Sequence, residues 1–546
     1  MDPEECVNEL KIETRAGSRQ TEPRSPLPSP QDPIVPGNTP ILMAYSKHEA
    51  SPMTTQTDQT ERVLEAVEAN DGAALDRLKE WLSIPSVGAD SAFDTQTRQA
   101  ADWALEQLES AGLEARLIET GTDDKKGHPI VYAYTAGADD YTGPHVLFYG
   151  HYDVQPPDPL DLWESAPFEP IIKQPDDSCP AERIVARGAC DDKGQVATFL
   201  ESLRAWHETT GEAAGGIRLT VMIEGEEESG SANLQRHIRD HRDLYESCDF
   251  CLVSDTGMLA RGKPAITYGL RGLSYTEVIL HGPNQDLHSG LWGGRVVNPI
   301  SELTKVLAQL WDDDRRVTIP GFYDNVRDIT DDERQAWKEL GFDQIEALNK
   351  IGLGPEADVG EAGFSAIERE WARPTAEING IVGGYIGEGD KTIIASHASA
   401  KISFRLVADQ EPDATCDAFF SWLKARTPPG CRWELIDHGG GNPATVPTES
   451  AYLSAASRAL KAAGGVEPAL IRSGGSIPVA GLLKAQLSLD TVFMGFGLDD
   501  DRVHSPNEKF ELPCFRLGIR SHVLLIGELL ESGQLRQNGE QRQGGE

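Results

Sequence analysis

Long apolar runs are missing from this 546-residue chain. The longest, such as Val146–Tyr149 or Val523–Ile526, fall far short of the ~20 apolar residues that a helix needs to cross a bilayer. Basic residues are scarce as well: 50 Lys and Arg stand against 88 Asp and Glu, a net charge of −38. That balance argues against nucleic acid, whose phosphates require clustered Lys and Arg, and against an anionic membrane surface. It says nothing directly about substrate; an acidic surface is first of all a solvated one. Eight cysteines in so long a chain make no disulfide framework. The one CxxC, Cys248–Cys251, falls inside the strand-like run DFCLVS. A redox pair belongs at a helix start and a zinc knuckle needs a second pair, so both thiols are expected to be buried and structural. The N-terminal MDPEECVNEL has no basic segment leading into an apolar stretch, so no secretory signal is visible and a cytoplasmic protein is expected. No repeat of solenoid period is present.

What the chain does contain is enough apolar material, 39% of residues, for two or more packed units at this length. Residues 1–57 are rich in Pro, Ser, Thr and Gln without periodicity and read as a disordered extension. Met53 stands just before a helical segment, so translation from that codon is an alternative start. The polar tail from Gln534 reads as disordered too. Between these ends, helix-like stretches (Thr60–Ala69, Ala73–Leu82, Thr95–Ala111) alternate with strand-like ones (His145–Tyr149, Ile217–Ile223, Phe250–Val253, Thr491–Met494). Such alternation predicts an α/β fold with a mixed, largely parallel sheet, formed by residues 58–265 and 440–533. The intervening 266–439 holds two β–α units, AITYGLRGLSYTEVILHG with NPISELTKVLAQLWDD, and TIIASHASAKISFRLV with CDAFFSWLKART. They predict an inserted α+β, ferredoxin-like lid.

Candidate ligands gather where chemistry is expected. The strand HVLFYG runs into His151-Tyr-Asp153, IRLTVMIEG into Glu226-Glu227-Glu228, DFCLVS into Asp255, and TVFMGFG is followed by His504. In an open parallel sheet, ligands bind beyond the carboxyl ends of the strands. A fifth group, Asp191-Asp192, follows the turn ARGAC and opens a helix. Singly each is ordinary: Asp191 could cap its helix, and acidic triplets are usually solvated faces. Together they place two histidines and several carboxylates at one sheet edge. In an extended segment Asp153 shares a side with His151 and could hold its imidazole, while Glu227 and Glu228 point to opposite sides. Two histidines and three carboxylates suit Zn²⁺, with Mn²⁺ or Co²⁺ as alternatives, in a dinuclear arrangement bridged by one carboxylate.

The strings GHYDVQPPDP, WESAPFEP, RGACDDKGQ, EGEEESGS, SDT, YGLRG, DLHSG, SFRLV, GGSIPVA and VHSPNE resemble those of metallopeptidase family 20, and most of all its carnosine-type dipeptidase branch. The resemblance runs over residues 60 to 530. It implies two metal ions, one held by His151 and Asp255, the other by Glu228 and His504, with Asp191 between them. It implies a cis peptide between Asp191 and Asp192, Glu227 as general base, and Asp153 as the carboxylate behind His151. His288 of DLHSG would stabilise the oxyanion across a homodimer interface. Thr392, Arg405 and the loop of Ser476 would hold the substrate's carboxylate. The activity implied is hydrolysis of dipeptides with a free C-terminal carboxylate, the alternative being an aminoacylase or other N-acyl amino acid hydrolase. Two positions depart from the pattern. Ser473 stands where dipeptidases of the family can carry an acidic residue, and Ala395 stands where they have proline.

Overall fold

Four segments, Leu219–Glu224, Val146–His151, Phe250–Val253 and Asp490–Phe493, lie side by side and parallel at the centre of a nine-stranded sheet. Nearly every residue in them is buried. A strand covered on both faces has no polar side to alternate with, and for that reason these segments read as continuous apolar runs. The computed structural model that shows this describes residues 56–543 apart from 123–125 and Ser476. The extension expected over residues 1–57 therefore lies outside the described residues except at Gln56 and Thr57, which already belong to the first helix.

The two faces of the sheet are packed separately. Val146, Phe148, Val221, Ile223, Phe250 and Leu252 meet the helices Gln56–Ala69, Lys193–Thr210, Ala451–Gly464 and Leu512–Gln543 on one side. Leu147, Tyr149, Met222, Cys251 and Val253 meet Leu234–Asp240 and Pro478–Leu487 on the other. Phe148 stacks on Phe199 at 3.8 Å, with His522 edge-on to both rings. The flanking strands are antiparallel or mixed: Glu114–Ile118 and Ile130–Thr135 at one end, Ala265–Leu270, Ala444–Thr445 and Ala469–Ser473 at the other. Cys248 and Cys251 are buried within this architecture, as expected, and burial pushes both thiols up.

The expected lid is a four-stranded antiparallel sheet, Thr375–Gly383, His397–Leu406, Gly272–His281 and Arg432–Gly441. Helices Pro299–Leu307 and Pro412–Lys424 pack on one face. Only that face is covered, and Gly272–His281 accordingly alternates buried and half-buried along its whole length. The chain leaves the large sheet at Arg271, because Ala265–Leu270, read from sequence as part of the lid, pairs with Ala469–Ser473 of the large sheet.

Two other elements differ from expectation. The last helix runs to Gln543, through most of the segment read as a disordered tail. Between the lid's two β–α units the chain builds three more helices, Asp331–Glu339, Gln344–Lys350 and Ala366–Ala372. Trp337 and Trp371 meet edge to face at 5.5 Å, and with Ile367 they join the core beneath the large sheet rather than that of the lid.

Candidate metal centre

The parallel strands end at one edge, and the ligands follow from that. His151 is the last residue of its strand and wholly buried; Asp255 lies just beyond Val253. Glu227 and Glu228 sit in a short 3-10 turn after Glu224. The extended geometry expected there is replaced by a helical turn, so the two side chains are not set on opposite faces of a strand. The turn is fixed from outside: Asp153 accepts the backbone N–H of Glu227 at 3.3 Å and of Glu228 at 3.0 Å. Asp153 also meets His151, whose Nδ1 lies 3.0 Å from its carbonyl and 3.3 Å from its carboxylate.

Asp191 joins the two halves. Its Oδ1 lies 3.1 Å from Nε2 of His151, and its Oδ2 lies 2.9 Å from Nε2 of His504. His151 Nε2 is also 3.8 Å from Asp255, and His504 Nε2 is 3.3 Å from Glu228. Two donor triads result, His151–Asp191–Asp255 and Asp191–Glu228–His504, each with its ligand atoms within 4.8 Å of one another. The Asp191–Asp192 peptide is cis, and His504 sits at φ 62° in the loop between the strands Asp490–Phe493 and Lys509–Glu511.

The charge balance fits cations. Asp153, Asp191, Glu227, Glu228 and Asp255 converge on two imidazoles in a largely buried edge. Burial, then Asp192 and Asp191 nearby, lifts the Asp255 carboxyl above its usual range. Burial raises Asp191 too, but its bonds to His151 and His504 outweigh that and hold it low. Hydrogen bonds to the carboxylates of Asp191 and Glu228 push His504 up to about 10. Burial lifts Glu227 to about 7; His151 opposes this, while Glu228, Asp191 and Asp153 add to it. Crowded like charges of this kind need positive partners, and a set of imidazoles and carboxylates with one shared carboxylate matches two divalent ions.

The family model described as peptidase family M20/M25/M40 matches residues 147–528. The chain belongs to this family. It is 32% identical to the Cys-Gly metallodipeptidase DUG1 of Candida albicans, across 82% of this chain and 92% of that protein. To the human Beta-Ala-His dipeptidase it is 29% identical, across 82% and 88%. Among solved structures, the M20 family metallo-carboxypeptidase Sso-CP2 from Sulfolobus solfataricus superposes with a TM-score of 0.72 at 31% identity, covering 84% of this chain and 99% of that one.

Of the residues named for the substrate, His288, Thr392 and Arg405 belong to the lid. His288 is exposed on the lid, its Nδ1 accepting the N–H of Gly290 at 3.0 Å. It pairs with Ile393 in a two-stranded ribbon, next to Thr392, whose carbonyl accepts the N–H of Ser289. Arg405 lines a lid cavity of about 570 Å³ together with Arg271, Arg315, Glu370 and Glu377. A second cavity, about 350 Å³, holds Asp255, Ser473 and Gly475, and Glu370 lines both. Ser476 lies outside the described residues. Two neighbours of the triads were not singled out from sequence. Gln155 donates to the Glu228 carboxylate at 2.8 Å, and Glu508 underlies the Asp191 loop. Both stand inside quoted strings, GHYDVQPPDP and VHSPNE, but nothing local marks them as contacts of a ligand loop.

Proposed function

We propose that the protein is a dinuclear, metal-dependent dipeptidase that cleaves the amide bond of dipeptides with a free C-terminal carboxylate. The observation that carries this is the pair of triads sharing Asp191 at the carboxyl edge of the sheet. Family membership and the names of the relatives support it. Zn²⁺ suits the donor set best, with Mn²⁺ or Co²⁺ able to replace it. Two such ions, when bound, polarise the scissile carbonyl and acidify the attacking water.

The chain's own groups do the rest. Glu227 lies beside both triads without belonging to either, where a carboxylate of raised proton affinity can take a proton from water and return it to the departing amine. Asp153 holds the Glu227–Glu228 turn and the His151 ring. Arg405 offers the substrate carboxylate a planar, bidentate partner, with Thr392 and the loop of Ser476 completing its recognition. His288 acts on the oxyanion from the partner of a homodimer. The lid's edge strand supports such a dimer, since Ile381, Val382 and the following Tyr385 and Ile386 are exposed large hydrophobics on it. This reading includes a cytoplasmic setting; among the described residues no helix is long and apolar enough to cross a membrane.

Hydrolysis of N-acyl amino acids is the second reading: Ser473 brings no charge of its own to a free amino terminus, while Glu370 and Asp499, which line the same cavity, speak for the first reading. The deciding assay offers chelator-treated protein, reloaded with Zn²⁺ or Mn²⁺, a panel of dipeptides and their N-acetylated counterparts. Metal-restored cleavage of the free dipeptides is expected. Clear preference for the acetylated forms would transfer the assignment to the second reading. For the dimer, mixing His288→Ala and Glu227→Gln chains should restore partial activity after subunit exchange; verified mixed dimers that stay inactive count against it.

A further inference from the structure

Beneath the triads lies a carboxylate that is not among their ligands. Glu508 is fully buried, four residues after His504. Its Oε1 accepts the backbone N–H of Cys190 at 2.9 Å and of Asp191 at 3.1 Å. Its Oε2 accepts the N–H of Gly188 at 3.0 Å and a guanidinium N–H of Arg187 at 2.7 Å. Arg187 is itself buried, its other terminal nitrogen donating to the carbonyl of Pro156. The backbone agrees with the side chain: the carbonyl of Glu508 accepts the N–H of Ala186, and Lys509–Glu511 pairs with Arg183–Val185.

Both ends of this arrangement carry a ligand. The loop gripped by Glu508 presents Asp191, and the loop that supplies Glu508 presents His504. His151 and Asp255 stand at the ends of paired strands, so the large sheet already fixes them. Neither Asp191 nor His504 lies in a strand, so beside their own contact at 2.9 Å it is contacts of this kind that set their spacing.

We infer that Glu508 is a positioning residue that sets the separation of Asp191 from His504 and so tunes both triads, the second of them most. The inference rests on the dinuclear reading above. A glutamine at this position would turn an acceptor into a donor facing backbone N–H groups. An aspartate would keep the charge but withdraw it by one methylene. Outer partners of metal ligands commonly affect affinity by 10- to 100-fold. The expected effect is therefore a loss of that size for the ion of Asp191–Glu228–His504, where two ligands depend on Glu508, and a smaller loss for that of His151–Asp191–Asp255, where Asp191 alone does.

The test is competitive titration of chelator-stripped protein with Co²⁺ against an indicator, for the parent, Glu508→Gln and Glu508→Asp. The rise in Tm on metal loading is measured alongside. A parent that binds two equivalents, with both weakened in the variants but one by clearly more, and a smaller metal-induced rise in Tm, supports the inference. A residue that only stabilises the fold would lower Tm equally with and without metal. That result, with both affinities as in the parent, overturns the inference while leaving the dinuclear reading intact. A parent that binds no metal removes both. Should the glutamine chain fail to fold, the aspartate chain decides.

Discussion

Asp191 is common to both triads, and that gives a prediction with unequal arms. In Asp191→Ala each triad falls from three protein donors to two, whereas Glu228→Ala or Asp255→Ala depletes only one. An ion held at ~1,000 times its Kd contributes about 4 kcal/mol to stability. Two such ions contribute about 8 kcal/mol between the stripped and loaded parent. That increment should fall to about 4 kcal/mol in Glu228→Ala and in Asp255→Ala, and close to zero in Asp191→Ala. Metal content after gel filtration, paired with denaturant unfolding with and without added Zn²⁺, measures both sides of the argument. The ratio expected is two ions per chain for the parent, one for either outer variant and none for Asp191→Ala. A full equivalent retained by Asp191→Ala, or both lost in Glu228→Ala, would refute the shared-carboxylate geometry.

Other consequences are as direct. Glu227→Gln should keep both ions, since Glu227 belongs to neither triad, and lose about 10²- to 10⁴-fold in kcat with KM little changed; parental kcat would remove Glu227 as the base. His522 is fully buried, with Ser254 as its hydrogen-bond partner, and burial lowers its pKa to about 3. The fold holds it neutral, so its contribution is complete above the unfolded value of ~6.5 and is lost as pH falls from there toward 3, by about 2 kcal/mol at pH 5. His522→Gln should flatten the acid limb of a Tm–pH curve, and parallel curves for variant and parent would refute this. A Cβ on Gly194 would stand 1.8 Å from the carbonyl oxygen of Ala189, so Gly194→Ala should lower stability by about 3 kcal/mol or more and disturb the adjoining Asp191 loop. Gly72, in the open first turn of its helix, has nothing within 4 Å of an added Cβ; there alanine should raise Tm, by about 0.5–1 kcal/mol of stability.

Much of this molecule was legible along the chain. Apolar runs of strand length, each followed by His, Glu or Asp, predicted strands ending at one edge, and parallel pairing then had to bring those residues together. The helices Asp71–Leu82 and Asp94–Ser110 lie within two residues of their expected limits. Other signals were present but unread. Thr330 with Glu333 and Ser365 with Glu368 form capping boxes at two of the three inserted helices, and the strings TDDE and SAIE advertise them.

The sequence by itself determined the elements, the ligand types and the family, because helix and strand periodicity and turn chemistry are local properties. The tertiary structure alone decided which atoms meet. That Asp191 turns one oxygen to His151 and the other to His504 depends on contacts 40 and 313 residues apart. That Glu508 closes the loop beneath Asp191 spans 317. Trp337 and Trp371 leave the lid's core for that of the large sheet, and Arg271 marks the crossing between sheets. Local propensity specifies neither the register between distant strands nor the partner of a buried carboxylate. Both are settled when apolar faces pack and every polar group buried with them must find a mate.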